Sequence, residues 1–448
     1  MRLSITGVII GLAVVLVMVT ASPLSAYSVL SHEATIDVTW DTLLAPLLKQ
    51  RFPRATPEDL LRARAFAYGG SVIQDLGYYP FGNKFFSNLV HYVRSGDFVE
   101  ALLRDARDID EFAFALGALA HYANDTSGHP EAINVTVPIV YPKLQQKYGD
   151  VVTYAQAPRQ HVVVEFSFDI VHAVGGAFLP DTYKRFIGFR VATPLLERAV
   201  RETYGLEMRD LFGDLDRSIS TYRYAVSQII PTLTEAAWRD KHDEIAKLTP
   251  AIDRGAFVFA YPRTAFEQDY GREYQRPGLF ARFLGVLYRI LPKVGPLKPL
   301  AFKAPTPEAA ELFAKSFRDA TAKFRTEVND LKDRKFEIAN ANFDTGRASR
   351  FGDYSLADDT YGELLERLSD QKFQGTPAAL TRNVVTFYGD GPGPALQDKK
   401  VRKRWAKVER TLQDLRDASN RRAGLSYRFS NLRFPSPSKS IAFAAKAR

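Results

Sequence analysis

The chain has 448 residues, of which 46% are hydrophobic and 25% charged, so it is long enough for a sizeable core and more than one structural region. It contains no cysteine, which excludes disulfides, thiolate metal ligands, a catalytic thiol and a lipidated N-terminal cysteine. The net charge of +9 suits an anionic membrane surface or a nucleic acid, and equally a set of solvated helix faces, so charge alone selects no function.

Residues 1–26 have the pattern of a signal peptide. A basic residue, Arg2, precedes an apolar run from Ile5 to Met18, and small residues lead to Ala26. We expect cleavage after Ala26 and export to the periplasm or out of the cell. A retained membrane anchor is the alternative, because the apolar run is only slightly shorter than the roughly 20 residues that a spanning helix needs.

Helical periodicity dominates residues 27–248. The predicted helices are Ala34–Leu48, Pro57–Tyr68 with Thr56 as its N-cap, Lys84–Arg94 and Ile109–Asn124. Val162–Val164 has the composition of a strand, but helical spacing continues to His172, so we predict a buried helix there. This region is therefore predicted to be an all-α, multi-helix bundle.

Beyond residue 248 the composition changes. Prolines recur from Pro262 to Pro307, and we place a boundary near Pro250. The next predicted helices are Pro307–Asn340, with Ser316 and Lys323 on its polar side, Thr360–Leu368 and Asp398–Ala418. We predict a mostly helical C-terminal region over residues 249–423, of unknown role, and a disordered basic tail over residues 424–448.

The histidines carry the strongest functional signal. On a helix, residues four apart share a face, so His121 and Asp125 can reach one metal ion, as can His161 and Glu165. Zinc accepts imidazole nitrogen and carboxylate oxygen together. Each pair alone is a weak signal, since a solvated helix face gives the same spacing. The apolar surroundings, such as Val162–Val164, favour a buried cation, because an unpaired buried carboxylate is unfavourable.

The candidate ligands form an ordered series. An aromatic residue, a histidine, an aspartate, a histidine, an H-x-x-x-D pair, a histidine and an H-x-x-x-E pair follow one another at Tyr27, His32, Asp75, His91, His121, Asp125, His129, His161 and Glu165. This order resembles the zinc-dependent phospholipases C and the related zinc-dependent single-strand nucleases and nucleotidases, which share a trinuclear zinc site. The resemblance spans roughly residues 27–170, and it implies a helical bundle of that type followed by a C-terminal extension.

The resemblance also implies a ligand set for each of about three zinc ions per chain. The first zinc would take Asp75, His91, His121 and Asp125. The second would take His129, His161 and Glu165. The third would take His32, Asp125 as a bridging carboxylate, and both the amino group and the carbonyl oxygen of Tyr27, whose amino group signal-peptide cleavage would free.

Three features depart from the family pattern. Tyr27 stands where the family usually has tryptophan, a change that backbone ligation should tolerate. The interval from Asp125 to His129 is short, so His129 is expected to approach from the same helix or from an unwound end at Gly128. The region after Pro250 has no counterpart in the family pattern.

Clustered zinc ions suit hydrolysis of phosphate esters, because they acidify a bound water and neutralise phosphoryl oxygens. The resemblance therefore implies a phospholipase C that releases a phosphorylated head group at a phospholipid membrane surface. Asp75 would act as general base or water-orienting carboxylate. Glu165 favours this phospholipase branch.

Two alternatives remain open. The short interval from Tyr27 to His32 favours the nuclease branch, a 3′-nucleotidase or single-strand nuclease with nucleic acid as substrate. A metal-stabilised interaction protein is the second alternative, but the three ligands of the second site leave room for water or substrate and favour an enzyme. The sequence implies no particular protein partner.

Overall fold

The computed structural model describes residues 29–79, 81–174, 188–226, 305–333, 336–389 and 397–430, and the single residues 235, 238 and 243. This part of the chain consists of helices and their connections, without a strand, and one isolated antiparallel bridge pairs Asn342 with Arg347. The prediction of an all-α fold is confirmed. The signal-peptide segment and Tyr27 lie outside the described residues. None of the described helices is both long and apolar enough to span a membrane.

The first region holds most of the helices. In chain order they are α1 Val29–Thr39, α2 Ala45–Arg51, α3 Pro57–Val72, α4 Lys84–Tyr92, α5 Ser95–Asp105, α6 Ile109–Gly128, α7 Asn134–Val140, α8 Pro142–Tyr148, α9 Pro158–Val174, α10 Thr193–Tyr204, α11 Met208–Leu211 and α12 Leu215–Tyr224. A π-helical turn, Trp40–Leu44, follows α1, a 3₁₀ helix, Ile73–Tyr78, follows α3, and a second π-helical turn, His129–Ile133, follows α6. The buried helix predicted around Val162–Val164 is confirmed as part of α9.

Within the part of the C-terminal region that the structure describes, the helices are α13 Pro307–Lys332, α14 Ser355–Asp370, α15 Ala378–Tyr388 and α16 Lys399–Ser430. Helix α13 ends before the predicted Asn340. The backbone after it bonds to the first region instead, because the Ile338 N–H donates to Glu100 at 3.0 Å and the Asn340 side chain accepts from the Asp97 N–H at 3.0 Å. The last helix continues beyond residue 423, the boundary predicted for the tail.

Local chemistry explains where helix α3 begins. The Thr56 hydroxyl accepts a hydrogen bond from the Asp59 N–H at 3.1 Å, and the Asp59 carboxylate accepts one from the Thr56 N–H at 2.9 Å. This reciprocal capping box satisfies two backbone donors that the first helical turn would leave unpaired, and such caps stabilise a helix by about 1 kcal/mol. The N-cap predicted at Thr56 is confirmed.

Helix α6 is the central element, and glycines let α3 approach it with backbone in contact. A Cβ atom added to Gly70 would lie 1.9 Å from the Phe114 carbonyl oxygen, and one added to Gly117 would lie 2.0 Å from the Ala67 carbonyl oxygen. Any side chain at either position would force the helices apart. The crossing brings the end of α3 alongside the part of α6 that carries His121.

Helix α13 packs on the other region of the chain rather than standing apart from it. Phe324 and Val328 are buried in the same core as residues of α5 and α6. The prediction that Ser316 and Lys323 lie on a polar side is wrong. Ser316 is fully buried and donates to the Phe313 carbonyl oxygen, and the Lys323 ammonium donates to the Thr126 hydroxyl at 2.6 Å. Each side chain has a polar partner, which offsets the cost of burying Ser316 fully and Lys323 partly.

Candidate metal centre

Three groups of histidine and carboxylate side chains meet in the interior. Within each group the ligand atoms lie within 4.8 Å of one another. We call Asp75, His91 and His121 the first cluster, His129, His161 and Glu165 the second cluster, and His32, His121 and Asp125 the third cluster. Every member is buried. The structure thus brings together all the sequence-predicted ligands that it describes, and Tyr27 alone lies outside the described residues.

The first cluster is oriented by one backbone carbonyl of α4 itself and one of the neighbouring α3. His91 Nδ1 lies 2.7 Å from the Ser87 carbonyl oxygen, and His121 Nδ1 lies 2.9 Å from the Ser71 carbonyl oxygen at the end of α3. A carbonyl oxygen can only accept, so each Nδ1 carries a proton and each Nε2 faces the carboxylates of the cluster. This is the usual arrangement around a metal-binding histidine.

Asp125 connects the first and third clusters through its two oxygens. Oδ2 lies 3.1 Å from His121 Nε2 and 3.4 Å from His91 Nε2, whereas Oδ1 lies 3.4 Å from His32 Nε2. The other candidate carboxylate of the first cluster, Asp75, has Oδ1 3.4 Å from His91 Nε2. A carboxylate that presents one oxygen to each of two groups has the geometry of a bridging ligand.

The second cluster depends on how α6 ends. Gly128 keeps right-handed helical angles, φ −65° and ψ −43°, so of the two approaches expected for His129 the unwound end at Gly128 is not the one observed. A π-helical turn begins at His129 instead and widens the helix. His129 Nδ1 then lies 2.9 Å from His161 Nε2, which is 3.0 Å from Glu165 Oε1 on the next turn of α9.

A residue that the sequence analysis missed also reaches the second cluster. Asp344 is buried, and its Oδ1 lies 3.4 Å from His129 Nδ1 and 3.8 Å from His161 Nε2. It comes from the turn between α13 and α14, where the residues Asn342 to Gly346 have the composition of a turn. That composition predicts a loop, but no spacing in the sequence ties the loop to the histidines.

The protonation of the clusters follows from burial and close charges. Burial and the neighbouring His121 imidazole hold the pKa of His32 well below its ordinary value, and burial lowers the pKa of His161 to about 4. Burial works to raise the pKa of Asp125, but the imidazoles of His121 and His91 outweigh it and hold that pKa well below its usual range. Lone-pair nitrogens and an ionised carboxylate are what a divalent cation requires.

Two groups carry extra protons in the absence of a metal. Burial opposes charge on His91, but its contacts with Asp125 and Asp75 raise its pKa to about 9. Burial raises the pKa of Glu165 well above its usual range. A metal ion bound to these groups would take the place of their protons, so its binding releases protons.

The unpaired polar atoms point to the same conclusion. Among the described residues, the atoms that face the cluster centres and have no hydrogen-bond partner include Asp75 Oδ1, His91 Nε2, His121 Nε2, both Asp125 oxygens, Glu165 Oε1 and Asp344 Oδ1. Leaving a buried polar atom without a partner costs roughly 1 to 3 kcal/mol. The residues present therefore fit divalent metal ions, and nitrogen and carboxylate donors in this proportion suit zinc.

Helix α9 also holds the start of α1. The Asp169 carboxylate accepts hydrogen bonds from the Leu30 N–H at 2.8 Å, the Ser31 N–H at 3.2 Å and the Ser31 hydroxyl at 2.6 Å. These backbone donors belong to the first turn of α1 and would otherwise be unsatisfied. The contact fixes the segment that carries His32 and that follows Tyr27 directly.

Comparison with known proteins identifies the region that bears the clusters. The sequence model of the family described as "Zinc dependent phospholipase C" matches residues 35–213. No curated protein and no solved structure matches the chain. The matched residues include Asp75, His91, His121, Asp125 and the three members of the second cluster, and they exclude Asp344. Over residues 35–213 the chain is therefore similar to the zinc-dependent phospholipase C family.

Proposed function

We propose that the protein is an exported zinc-dependent phospholipase C, which hydrolyses a phosphodiester bond of a phospholipid and releases the phosphorylated head group. The observation that carries this proposal is the meeting of three buried ligand clusters, whose members other than His32 all lie within the family-matched residues 35–213. Its substrate surface would be a phospholipid membrane. Export would follow cleavage after Ala26.

Each zinc ion has a proposed set of ligands. The first would be held by the first cluster together with Asp125, the second by the second cluster, and the third by His32, Asp125 and the amino group and carbonyl oxygen of Tyr27. Bound zinc ions lower the pKa of a coordinated water and neutralise the charge of the phosphoryl oxygens.

Asp75 is the residue we propose as general base or water-orienting carboxylate. Its Oδ1 lies 3.4 Å from His91 Nε2, and its Oδ2 lies 4.0 Å from His32 Nε2, so the carboxylate stands between the first and third clusters. A carboxylate in this position can hold an ion with one oxygen and take the proton of the attacking water with the other.

Parallel assays of the purified mature protein test the proposal. Phosphatidylcholine vesicles and single-stranded DNA would each be offered with and without a chelator, and zinc content and the N-terminal residue would be measured on the same preparation. We expect about three zinc ions per chain, a chain that starts at Tyr27, and release of phosphocholine that stops on chelation and returns with zinc.

The other outcomes each select a different function. Hydrolysis of DNA without hydrolysis of lipid would replace the proposal with the nuclease alternative. Full zinc content without activity on either substrate would favour a metal-stabilised interaction protein. Absence of zinc would overturn the metal centre itself.

A further inference from the structure

The second cluster receives a carboxylate from outside the family-matched region. Asp344 lies in the turn between α13 and α14, far beyond residue 213, yet its Oδ1 approaches both imidazoles of the cluster, at 3.4 Å from His129 Nδ1 and 3.8 Å from His161 Nε2. The side chain is only 2% exposed. An ionised carboxylate at this depth needs a cation or a full set of donors.

The two oxygens of Asp344 have different surroundings. Oδ2 accepts hydrogen bonds from the Tyr354 hydroxyl at 2.7 Å and from the Tyr154 N–H at 3.0 Å. Oδ1 has no hydrogen-bond partner among the described residues. Two donors therefore fix the carboxylate from one side and leave the other oxygen turned towards the histidines. This resembles the support that outer hydrogen bonds give to a metal ligand.

The distances match a tetrahedral metal site. With zinc–ligand bonds of about 2.0 to 2.1 Å, the ligand atoms of a tetrahedron stand about 3.3 Å apart. His129 Nδ1 lies 2.9 Å from His161 Nε2, 3.9 Å from Glu165 Oε1 and 3.4 Å from Asp344 Oδ1. His161 Nε2 lies 3.0 Å from Glu165 Oε1 and 3.8 Å from Asp344 Oδ1. These five distances scatter on both sides of the tetrahedral value.

Backbone contacts also hold the turn that carries Asp344 beside the second cluster. The Asn134 side chain donates to the Asp344 carbonyl oxygen at 2.7 Å, and the Phe343 N–H donates to the His91 carbonyl oxygen at 3.1 Å. Gly346 has φ +68°, and a Cβ atom there would lie 2.7 Å from the Thr126 carbonyl oxygen. The turn thus needs glycine to lie against the end of α6, beside the second cluster.

We propose that Asp344 is a fourth protein ligand of the metal ion in the second cluster, so that the C-terminal region completes a site begun by the family-matched region. The inference rests on the proposed function in one respect, that a metal occupies this cluster. It changes the character of the second site, because four protein ligands close a tetrahedral site that three would leave open. The second ion would then be held more tightly, and a water or substrate could join it only as a fifth ligand.

The test replaces Asp344 in the full mature protein and measures the metal. Asp344→Asn keeps the size of the side chain but offers a neutral oxygen. We expect zinc content to fall from about three to about two per chain after dialysis. The affinity for the ion of the second cluster should fall about 10-fold to 100-fold. The matched control is Asp358→Asn, since Asp358 is a buried carboxylate of the same region that accepts from the Gly352 N–H at 2.9 Å. The control should keep all the zinc.

A second variant keeps the test decisive if Asp344→Asn does not fold by circular dichroism. Asp344→Glu retains an ionised carboxylate on a longer arm. In the cobalt-substituted protein, a ligand role predicts full metal content and shifted visible absorption bands in this variant. Unchanged bands in Asp344→Glu, or unchanged zinc affinity in a folded Asp344→Asn, would overturn the ligand role. Wild-type protein without zinc would overturn the proposed function instead.

Discussion

The first and second clusters use the same kinds of side chain but draw their support from different parts of the chain. In the first, carbonyl oxygens of Ser87 and Ser71, both in the family-matched region, orient the imidazoles of His91 and His121. In the second, His161 Nδ1 has no hydrogen-bond partner among the described residues. The orientation of the imidazoles in the second cluster depends on their contacts with each other and with the acidic groups, including Asp344.

The two clusters therefore differ in how far their geometry depends on the C-terminal region. The first cluster has its ligands and their orienting groups within a short span of helices, so it should form wherever those helices pack. The second cluster has a neighbour supplied from beyond residue 305, so its geometry depends on the docking of the C-terminal region. The C-terminal region also contacts the first cluster, through Phe343 beside His91, but none of its described residues places a charged group there. Changes at Asp344 and its hydrogen-bond donors should therefore affect the second cluster more than the first.

The largest expected effect comes from the first cluster. Asp75→Asn removes the carboxylate that we propose as general base and leaves the imidazoles in place. General-base catalysis contributes roughly 10²-fold to 10⁴-fold, so kcat for phospholipid hydrolysis should fall by about that factor, far more than zinc content falls. Steady-state kinetics and elemental analysis of one preparation measure both. Asp41→Asn, on the exposed part of the first π-helical turn, is the control and should keep full activity. A fully active Asp75→Asn protein would remove Asp75 from the mechanism.

A smaller effect separates the second cluster from the first. Tyr354→Phe removes the hydroxyl that donates to Asp344 Oδ2 at 2.7 Å. The loss of such an outer hydrogen bond typically lowers metal affinity 10-fold to 100-fold, and here only one of the bound ions should be affected. Chelator competition measures the affinity of each ion.

The matched control for this variant is Tyr361→Phe. The Tyr361 hydroxyl is also buried in the C-terminal region, where it donates to the Asn383 side chain at 2.8 Å. It should change no metal affinity. Equal weakening of all the ions in Tyr354→Phe would contradict the separate support of the two clusters.

The difference between local and long-range contacts also explains which features the sequence could predict. The spacing of His121 and Asp125, and of His161 and Glu165, predicts shared helix faces because helical geometry is local, and both pairs meet as expected. The start of α3 at Thr56 was equally readable, since a capping box needs only neighbouring residues.

Tertiary contacts could not be predicted from local spacing. Asp344 reaches the second cluster only because the turn after α13 docks on α6, and Lys323 is half-buried against α6 only because Thr126 lies opposite it. The π-helical turn at His129 was not readable either, because nothing in the residues from Gly128 onwards distinguishes a widened helix from an unwound one. Each of these depends on which surfaces meet, and no local pattern in the sequence encodes that.

A further prediction concerns the third cluster. Asp169→Asn replaces a charged acceptor of three hydrogen bonds from Leu30 and Ser31 with a neutral one. The first turn of α1 should then hold His32 less firmly, and we expect about 10-fold weaker binding of one zinc ion. Ser31→Ala keeps both backbone hydrogen bonds and should weaken it less. Metal titration followed by calorimetry measures both variants, and the reverse order of effects would contradict this positioning role.

The smallest expected effect concerns a half-buried carboxylate outside the three clusters. Burial raises the pKa of Glu327 on α13 to about 7, against the opposing charge of Lys323. The folded protein therefore holds this proton more tightly than the unfolded chain, whose glutamate has an ordinary pKa of 4.5. Between those values the unfolded state binds fewer protons than the folded state, so stability falls as pH rises.

Glu327→Gln removes that dependence, because an amide does not ionise. Since the side chain keeps some contact with solvent, we expect the variant to be more stable than the wild type by about 1 kcal/mol at pH 8 and equal to it at pH 4. Urea unfolding at both pH values measures the difference between the two proteins, in which any loss of zinc at low pH cancels. Glu311→Gln, exposed on the same helix, should show no gain at either pH. A gain at pH 4 as large as at pH 8 would show that packing, and not the buried charge of Glu327, limits the docking of α13.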